Sequence, residues 1–316
     1  MSNPDSANRS EDFLPERRSN RPVTIGHRLE YAIVIALFGL FQLLGIDRAS
    51  AFGGAGAKFF GQILRSVSRR AENNLRMVYP EWDDEKIHQT VNEVWENLGR
   101  TAAEYAHLKS LTTTGSDPRI KVVGAKEITP LLIERGCAIF ITGHFANWEV
   151  AGITATQLGL PFGFIYRASN NPLVDELIIK KRAAVMTMRQ IPKGWEGARG
   201  FIDLLKDKHS IAILMDQKLT TGGIPVPFMG HTAMTSPAAA RLALRFNLPL
   251  IQISTERLRG AHFKVTVHDP IEFKPSGDLG ADIEKLTIKI NEALEKDVRA
   301  HPGQWLWLHR RWPKTK

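Results

Sequence analysis

Apolar side chains are distributed along this chain in two ways. From Leu29 to Ile46 they form an almost unbroken run, LEYAIVIALFGLFQLLGI. Beyond it, short apolar runs alternate with stretches in which apolar residues recur every three or four positions, a pattern that predicts strands alternating with helices. Glu85 to Leu108 reads as a helix, with Ile87, Val91, Val94, Trp95, Leu98 and Tyr105 at helical intervals. Ile120 to Val123 reads as a strand, Lys126 to Glu134 as a helix ended by Gly136, and Ala138 to Thr142 as a buried strand. Further strands are expected over Phe162 to Arg167, Ile211 to Met215, Leu250 to Thr255 and His262 to Val267. Helices are expected over Pro172 to Met188, Trp195 to Lys206 and Ser236 to Phe246, the last with Pro237 in its first turn. Ile283 to Val298 carries Ile283, Leu286, Ile290, Leu294 and Val298 on one helical stripe. The expected architecture is α/β, a mixed, largely parallel sheet flanked by helices, with no repeat or linker dividing residues 75–316.

The run Leu29 to Ile46 begins too late for an ordinary secretory signal and lacks its small-residue cleavage pattern, so it reads as a membrane-anchoring helix. Eighteen helical residues reach ~27 Å, slightly short of a hydrocarbon core of ~30 Å. A helix lying in one leaflet, returning through Ala49 to Leu64 with Gly53, Gly54, Gly56, Phe59 and Phe60, is preferred to a full span. A buried core helix is the third reading. Residues 1–28 are rich in Ser, Asn, Arg and Pro and are expected to be a mobile tail, residues 29–46 the anchor, and residues 47–316 one domain.

Composition narrows the picture. The 316 residues are 43% hydrophobic, enough for a substantial core, and the single Cys137 excludes an intramolecular disulfide and favours a reducing compartment. Arg17, Arg18, Arg21 and Arg28 before the apolar run argue the other way, placing the tail inside and the domain outside. Lys and Arg total 42 against 33 Asp and Glu, a net charge of +9, which suits anionic lipid, phosphorylated glycolipid, an acidic carrier protein or nucleic acid. Nucleic-acid binding leaves the apolar run without a role. Neither HExxH nor CxxC nor a compact ligand cluster is present, so no metal is expected.

Ala138-Ile-Phe-Ile-Thr-Gly-His144-Phe-Ala-Asn-Trp-Glu149 is the most informative stretch. A buried strand ends in Gly143 and delivers a histidine where a helix should begin, the favoured place for chemistry in α/β sheets. His144 and Glu149 lie five positions apart, about 140° around an ideal helix, so His144 must precede the helix for the two to meet. In that geometry Glu149 fixes the imidazole tautomer while the other ring nitrogen takes a proton from an alcohol, a base suited to acyl transfer. No GxSxG elbow accompanies it and Cys137 precedes the strand, so direct attack by an acceptor hydroxyl is expected rather than an acyl-enzyme. A capping or salt-bridging pair gives the same spacing.

GHFANWE resembles the His-x4-Glu/Asp motif of the late lipid A acyltransferases, the lauroyl and myristoyl transferases of Gram-negative bacteria. Phe164-Ile-Tyr-Arg167 with Asn171-Pro172, Met215-Asp216-Gln217 with Val226-Pro-Phe-Met-Gly230, and the ending Gln304-Trp-Leu-Trp-Leu-His-Arg-Arg311-Trp resemble the family's further blocks. The resemblance covers roughly residues 30–312. It implies a glycerolipid acyltransferase-like fold with an N-terminal membrane helix at the cytoplasmic face of the inner membrane. It also implies a lipid A precursor as acceptor, acyl carrier protein or coenzyme A thioesters as co-substrates without a further cofactor, and His144 as base with Glu149 as partner. Another membrane glycolipid, such as a phosphatidylinositol mannoside, is the alternative acceptor, and a non-catalytic lipid-binding relative the alternative protein. Within this frame Arg167 holds a lipid phosphate or the thioester oxygen, or else makes a structural ion pair; Asp216 orients Arg167; and Gln217 and Asn171 are substrate-binding candidates. Val226 to Gly230 shapes an acyl entrance or merely packs. Trp305, Trp307 and Trp312 with His309, Arg310 and Arg311 meet a phosphorylated lipid at the bilayer surface, or form a packed tail with a basic edge.

Overall fold

A computed structural model describes residues 22–187, 189–192, 195–219 and 221–313. Helix α1 (Ile25–Leu44) starts where Thr24 Oγ1 accepts from the His27 amide at 3.2 Å and the Thr24 amide donates to His27 Nδ1 at 3.3 Å. The helix therefore claims Ile25 to Arg28 from the expected tail, whose residues 1–21 lie outside the described ones. It is a candidate membrane segment: long and apolar enough to cross a bilayer by composition, and only 6% buried. That exposure removes the core-helix reading.

Gly45 turns the chain at φ 70° into α2 (Ile46–Ile63), followed by α3 (Arg65–Val78) and α4 (Asp84–Glu104), capped by Asp83. Helix α2 runs antiparallel along α4, and glycine sets the distance. A Cβ on Gly53 would lie 2.5 Å from the Gly99 carbonyl oxygen, and one on Gly61 would lie 2.5 Å from the Trp95 ring. The expected second limb is thus docked on the domain through its small-residue face, while Phe52, Phe59, Phe60 and Ile63 stay exposed.

The sheet follows in the order expected of an α/β chain. Strand β1 (Ile120–Val123) leads through α5 (Ala125–Arg135) to β2 (Ile139–Thr142), then α6 (Glu149–Gln157) and β3 (Phe162–Tyr166). Helix α7 (Pro172–Ala183), β4 (Gln190–Pro192), α8 (Trp195–Lys206) and β5 (Ser210–Leu214) come next. A hairpin of β6 (Ile224–Phe228) and β7 (His231–Thr235) precedes α9 (Ala238–Phe246), β8 (Leu250–Arg259), β9 (His262–Pro270) and α10 (Leu279–Ala300). The seven-stranded order is β1-β9-β8-β2-β5-β3-β4, parallel throughout except for the β8–β9 pair. Central β2 is buried on both faces: Ile139 and Ile141 join α4, α9 and α10 in one core, and Ala138 and Phe140 join α5 and α6 in the other.

Val226 to Gly230 is strand and turn rather than an entrance loop. Met229 (φ 52°) and Gly230 (φ 78°) make the left-handed pair of a two-residue hairpin. Asn291 and Glu295 of α10 bind its backbone at Pro227 and Met229, and it lines no part of the cavity described below.

Candidate active site

His144, Arg167 and Asp216 follow β2, β3 and β5, so the carboxyl edge of the parallel strands gathers three of the residues singled out in sequence. Gly143 leaves room for this: a Cβ there would stand 2.7 Å from the Phe145 ring and 3.1 Å from Asp216 Oδ2. The next turn is strained, with Ala146 at φ 47°, and is held from several sides. Its carbonyl accepts from Asn97 Nδ2 and Thr101 Oγ1, both at 2.9 Å, and its amide donates to the Gln304 carbonyl at 2.9 Å.

Asp216, not Glu149, is the partner of His144. Its Oδ1 lies 2.8 Å from His144 Nδ1, and its Oδ2 accepts the His144 amide at 2.7 Å. The Gln217 side-chain nitrogen lies 3.3 Å from His144 Nε2. These contacts select one tautomer: Nδ1–H donates to Asp216, and Nε2 keeps its lone pair. Asp216 is fully buried. Burial works against its ionisation, yet the adjacent His144 ring, with its side-chain and amide hydrogen bonds, holds the carboxyl well below the usual range.

Glu149 opens α6 and turns the other way. Its Oε2 accepts from Arg182 Nε at 2.8 Å and its Oε1 from Arg182 Nη2 at 2.6 Å and from the Tyr105 hydroxyl. Arg182 Nη2 also donates to Tyr105 Oη at 3.0 Å. The reason is charge: a carboxylate this deep needs a cation with matched donors, and the fork of Arg182 supplies it where an imidazole edge would not. Burial opposes the charge on Glu149, but Arg182 beside it wins and its carboxyl is lowered; burial likewise pushes the Tyr105 hydroxyl well up. Arg182 sits in α7 among Lys180 and Lys181, and nothing in that basic stretch marked it out in sequence.

Both clusters open on one cavity of about 750 Å³. Helix α1 contributes Val34, Leu37, Phe38 and Phe41 to its wall, and Phe162, Phe164, Ile178 and Met186 continue the apolar lining. His144, Gln217, Glu149, Arg182 and Arg167 supply its polar part. Arg167 is exposed at the rim, and no described side chain pairs with it.

The remaining candidates lie elsewhere. Asn171 is a buried clip: it caps α7 by accepting the Leu173 amide at 3.0 Å and donates at 2.9 Å both to the His27 carbonyl and to Glu30 of α1. Arg311 is fully buried under Phe228, donating to the Met234 carbonyl and to Thr235 Oγ1. Burial brings it down to about 10, against the pull of Asp216 and Glu295. Arg310 is exposed but is not at the cavity. Trp305, Trp307 and Trp312 are core residues, each no more than 5% exposed, rather than interfacial aromatics. The segment does reach the site. Trp305 Nε1 donates to Asp216 Oδ2 at 2.8 Å, and His309 Nε2 lies 3.0 Å from the Asp216 carbonyl oxygen.

The site is thus a His–Asp pair at the strand ends of a mixed sheet, beside a largely apolar cavity that the exposed N-terminal helix helps to wall. The chain belongs to the family of bacterial lipid A biosynthesis acyltransferases, which it matches over residues 23–314. It is 24% identical over 268 residues to the lipid A biosynthesis lauroyltransferase of Escherichia coli K12, covering 80% of this chain and 82% of that one. A lipid A biosynthesis acyltransferase of Haemophilus influenzae is 21% identical over 255 residues (79% and 77%). The myristoyltransferase of Escherichia coli K12 is 22% identical over 259 residues (79% and 76%).

Proposed function

We propose that this enzyme moves a fatty acyl chain from an acyl carrier protein or coenzyme A thioester to a hydroxyl of a lipid A precursor, at the cytoplasmic face of the inner membrane. One observation carries the reading. His144 presents its unprotonated Nε2, beside the Gln217 amide, to a largely apolar cavity while Asp216 fixes its Nδ1. The acyl chain lies along the lining from α1 and α7. Nε2 takes the proton of the acceptor hydroxyl as the oxygen attacks the thioester carbonyl, and Asp216 stabilises the imidazolium that forms. The tetrahedral oxyanion then expels the thiolate, which leaves as thiol with the proton returned by His144. Arg167 brings positive charge to the mouth, for an acceptor phosphate or the carbonyl oxygen. Direct attack fits the surroundings of the base: among the described residues no Ser, Thr or Cys is hydrogen-bonded to the His144 ring, and Cys137 is buried before β2. Glu149 acts through the cavity wall rather than through His144. The excess positive charge suits both an acidic carrier and anionic lipid.

The test is mass spectrometry of a tetra-acylated lipid A precursor incubated with the purified protein and a panel of acyl thioesters on both carriers. A new acyl mass that disappears in His144→Ala is expected and reads out chain length. No gain with any donor would refute this acceptor, and a gain that survives His144→Ala would refute the base.

A further inference from the structure

The C-terminal segment Gln304 to His309 grips both members of the pair. Phe145 and Trp305 form an antiparallel bridge, and the Leu306 amide donates to the His144 carbonyl at 3.2 Å. Asp216 is held twice, by the Trp305 indole on Oδ2 and by the His309 ring on its backbone oxygen. Trp305 is 1% exposed and is not among the residues lining the cavity, so it does not touch the acyl chain. A buried indole needs a partner for its single N–H, and here that partner is the carboxylate that orients the base.

We propose that Trp305 is a positioning residue for acyl transfer: its indole N–H occupies Asp216 Oδ2, fixing the carboxylate plane so that Oδ1 alone faces His144 Nδ1. The inference rests on the reading of His144 as base. It also has an electrostatic sign. The indole N–H draws charge from Asp216, so removing it strengthens the pull of the carboxylate on a protonated His144. The other groups facing His144 are the Gln217 amide and the ring of Trp148, 5.1 Å away. His309 stands behind Asp216, and Glu149, Arg182 and Arg167 share the cavity. All are unchanged when Trp305 loses only its N–H.

The test uses the full chain in detergent, comparing wild type with Trp305→Phe, which keeps an aromatic ring, and with Trp305→Leu. In Trp305→Phe kcat should fall ten- to a hundredfold with KM for the acyl thioester within about twofold, and the acid limb of the kcat/KM profile should move to higher pH. Asp216→Asn should move that limb the opposite way. A low-field proton resonance from the His144 to Asp216 hydrogen bond is expected without substrate and should shift in Trp305→Phe. A purely structural Trp305 predicts a lower melting temperature with the limb and the resonance unmoved, and that result overturns the proposal. If the wild type transfers no acyl group while the resonance shifts, the coupling of Trp305 to the pair stands and the reaction reading falls.

Discussion

Two carboxylates, Asp216 and Glu149, are buried beside the same cavity and do different work. Asp216→Asn keeps the shape of the pair but offers an amide where His144 needs a charged acceptor, and kcat should drop by about 10³–10⁴-fold with the fold intact. Glu149→Gln leaves Arg182 buried beside a neutral amide, a kind of loss that costs about 3–5 kcal/mol. Urea denaturation beside turnover assays separates the two, and equal loss of stability in both variants would contradict the assignment. The pH dependence follows from the same contacts. Asp216 and Glu149 are lowered in the fold, so their contribution is complete above the unfolded carboxylate range, near pH ~4, and is lost as pH falls through their folded values. Burial lowers His309 as well, against the pull of Asp216, so its share is complete above pH ~6.5 and lost as pH falls through its folded value. Urea midpoints from pH 8 to 3 should show a shallow decline first and a steep one later, with the steep part reduced in Glu149→Gln.

At the scale of elements, the approach of α2 to α4 is set by backbone. A Cβ on Gly99 would meet the Gly53 carbonyl oxygen at 2.2 Å and the Ala57 Cβ at 2.4 Å. Gly99→Ala should therefore push the helices apart and cost about 1–3 kcal/mol, the range for overpacking, despite its gain in helix propensity. A rise in melting temperature would show that the pair has slack. The periodicity of α4 and α10 and the apolar runs of β2 and β5 were legible because each is dictated by local burial. The β6–β7 hairpin was not, since Pro225 and Pro227 read as loop, and only its docking on α10 makes the segment a strand pair. The site was half legible in the same way. His144 announced itself at a strand end, but the choice between Asp216 and Glu149 depends on Arg182, which arrives from α7 with no sequence signal. The tryptophans Trp305, Trp307 and Trp312 stayed between two readings, because aromatics beside cations suit a membrane surface and a packed tail equally well by composition, and the structure decides for the core.

For the molecule as a whole, the helix that composition marks as an anchor is also a wall of the cavity. Asn171 fastens its start, and the His107 ring lies 2.7 Å from the Phe41 carbonyl oxygen near its end. Enlarging that wall, as in Leu37→Trp, should shift donor preference toward shorter acyl chains, measured by competition between thioesters of graded length. An unchanged preference would place the chain elsewhere. Replacing α1 by an unrelated apolar helix should abolish turnover even where the protein still reaches the membrane, because the replacement carries no matching inner face.

If His144 and Asp216 are the base and its partner as proposed, the grip of Gln304 to His309 on them has a consequence for biosynthesis. A ribosome makes the chain from its amino end, so α1 is available to the bilayer long before Trp305 is translated. On that reading, a nascent chain that has not yet delivered Trp305 to Asp216 is expected to be inert, whatever its N-terminal helix already does.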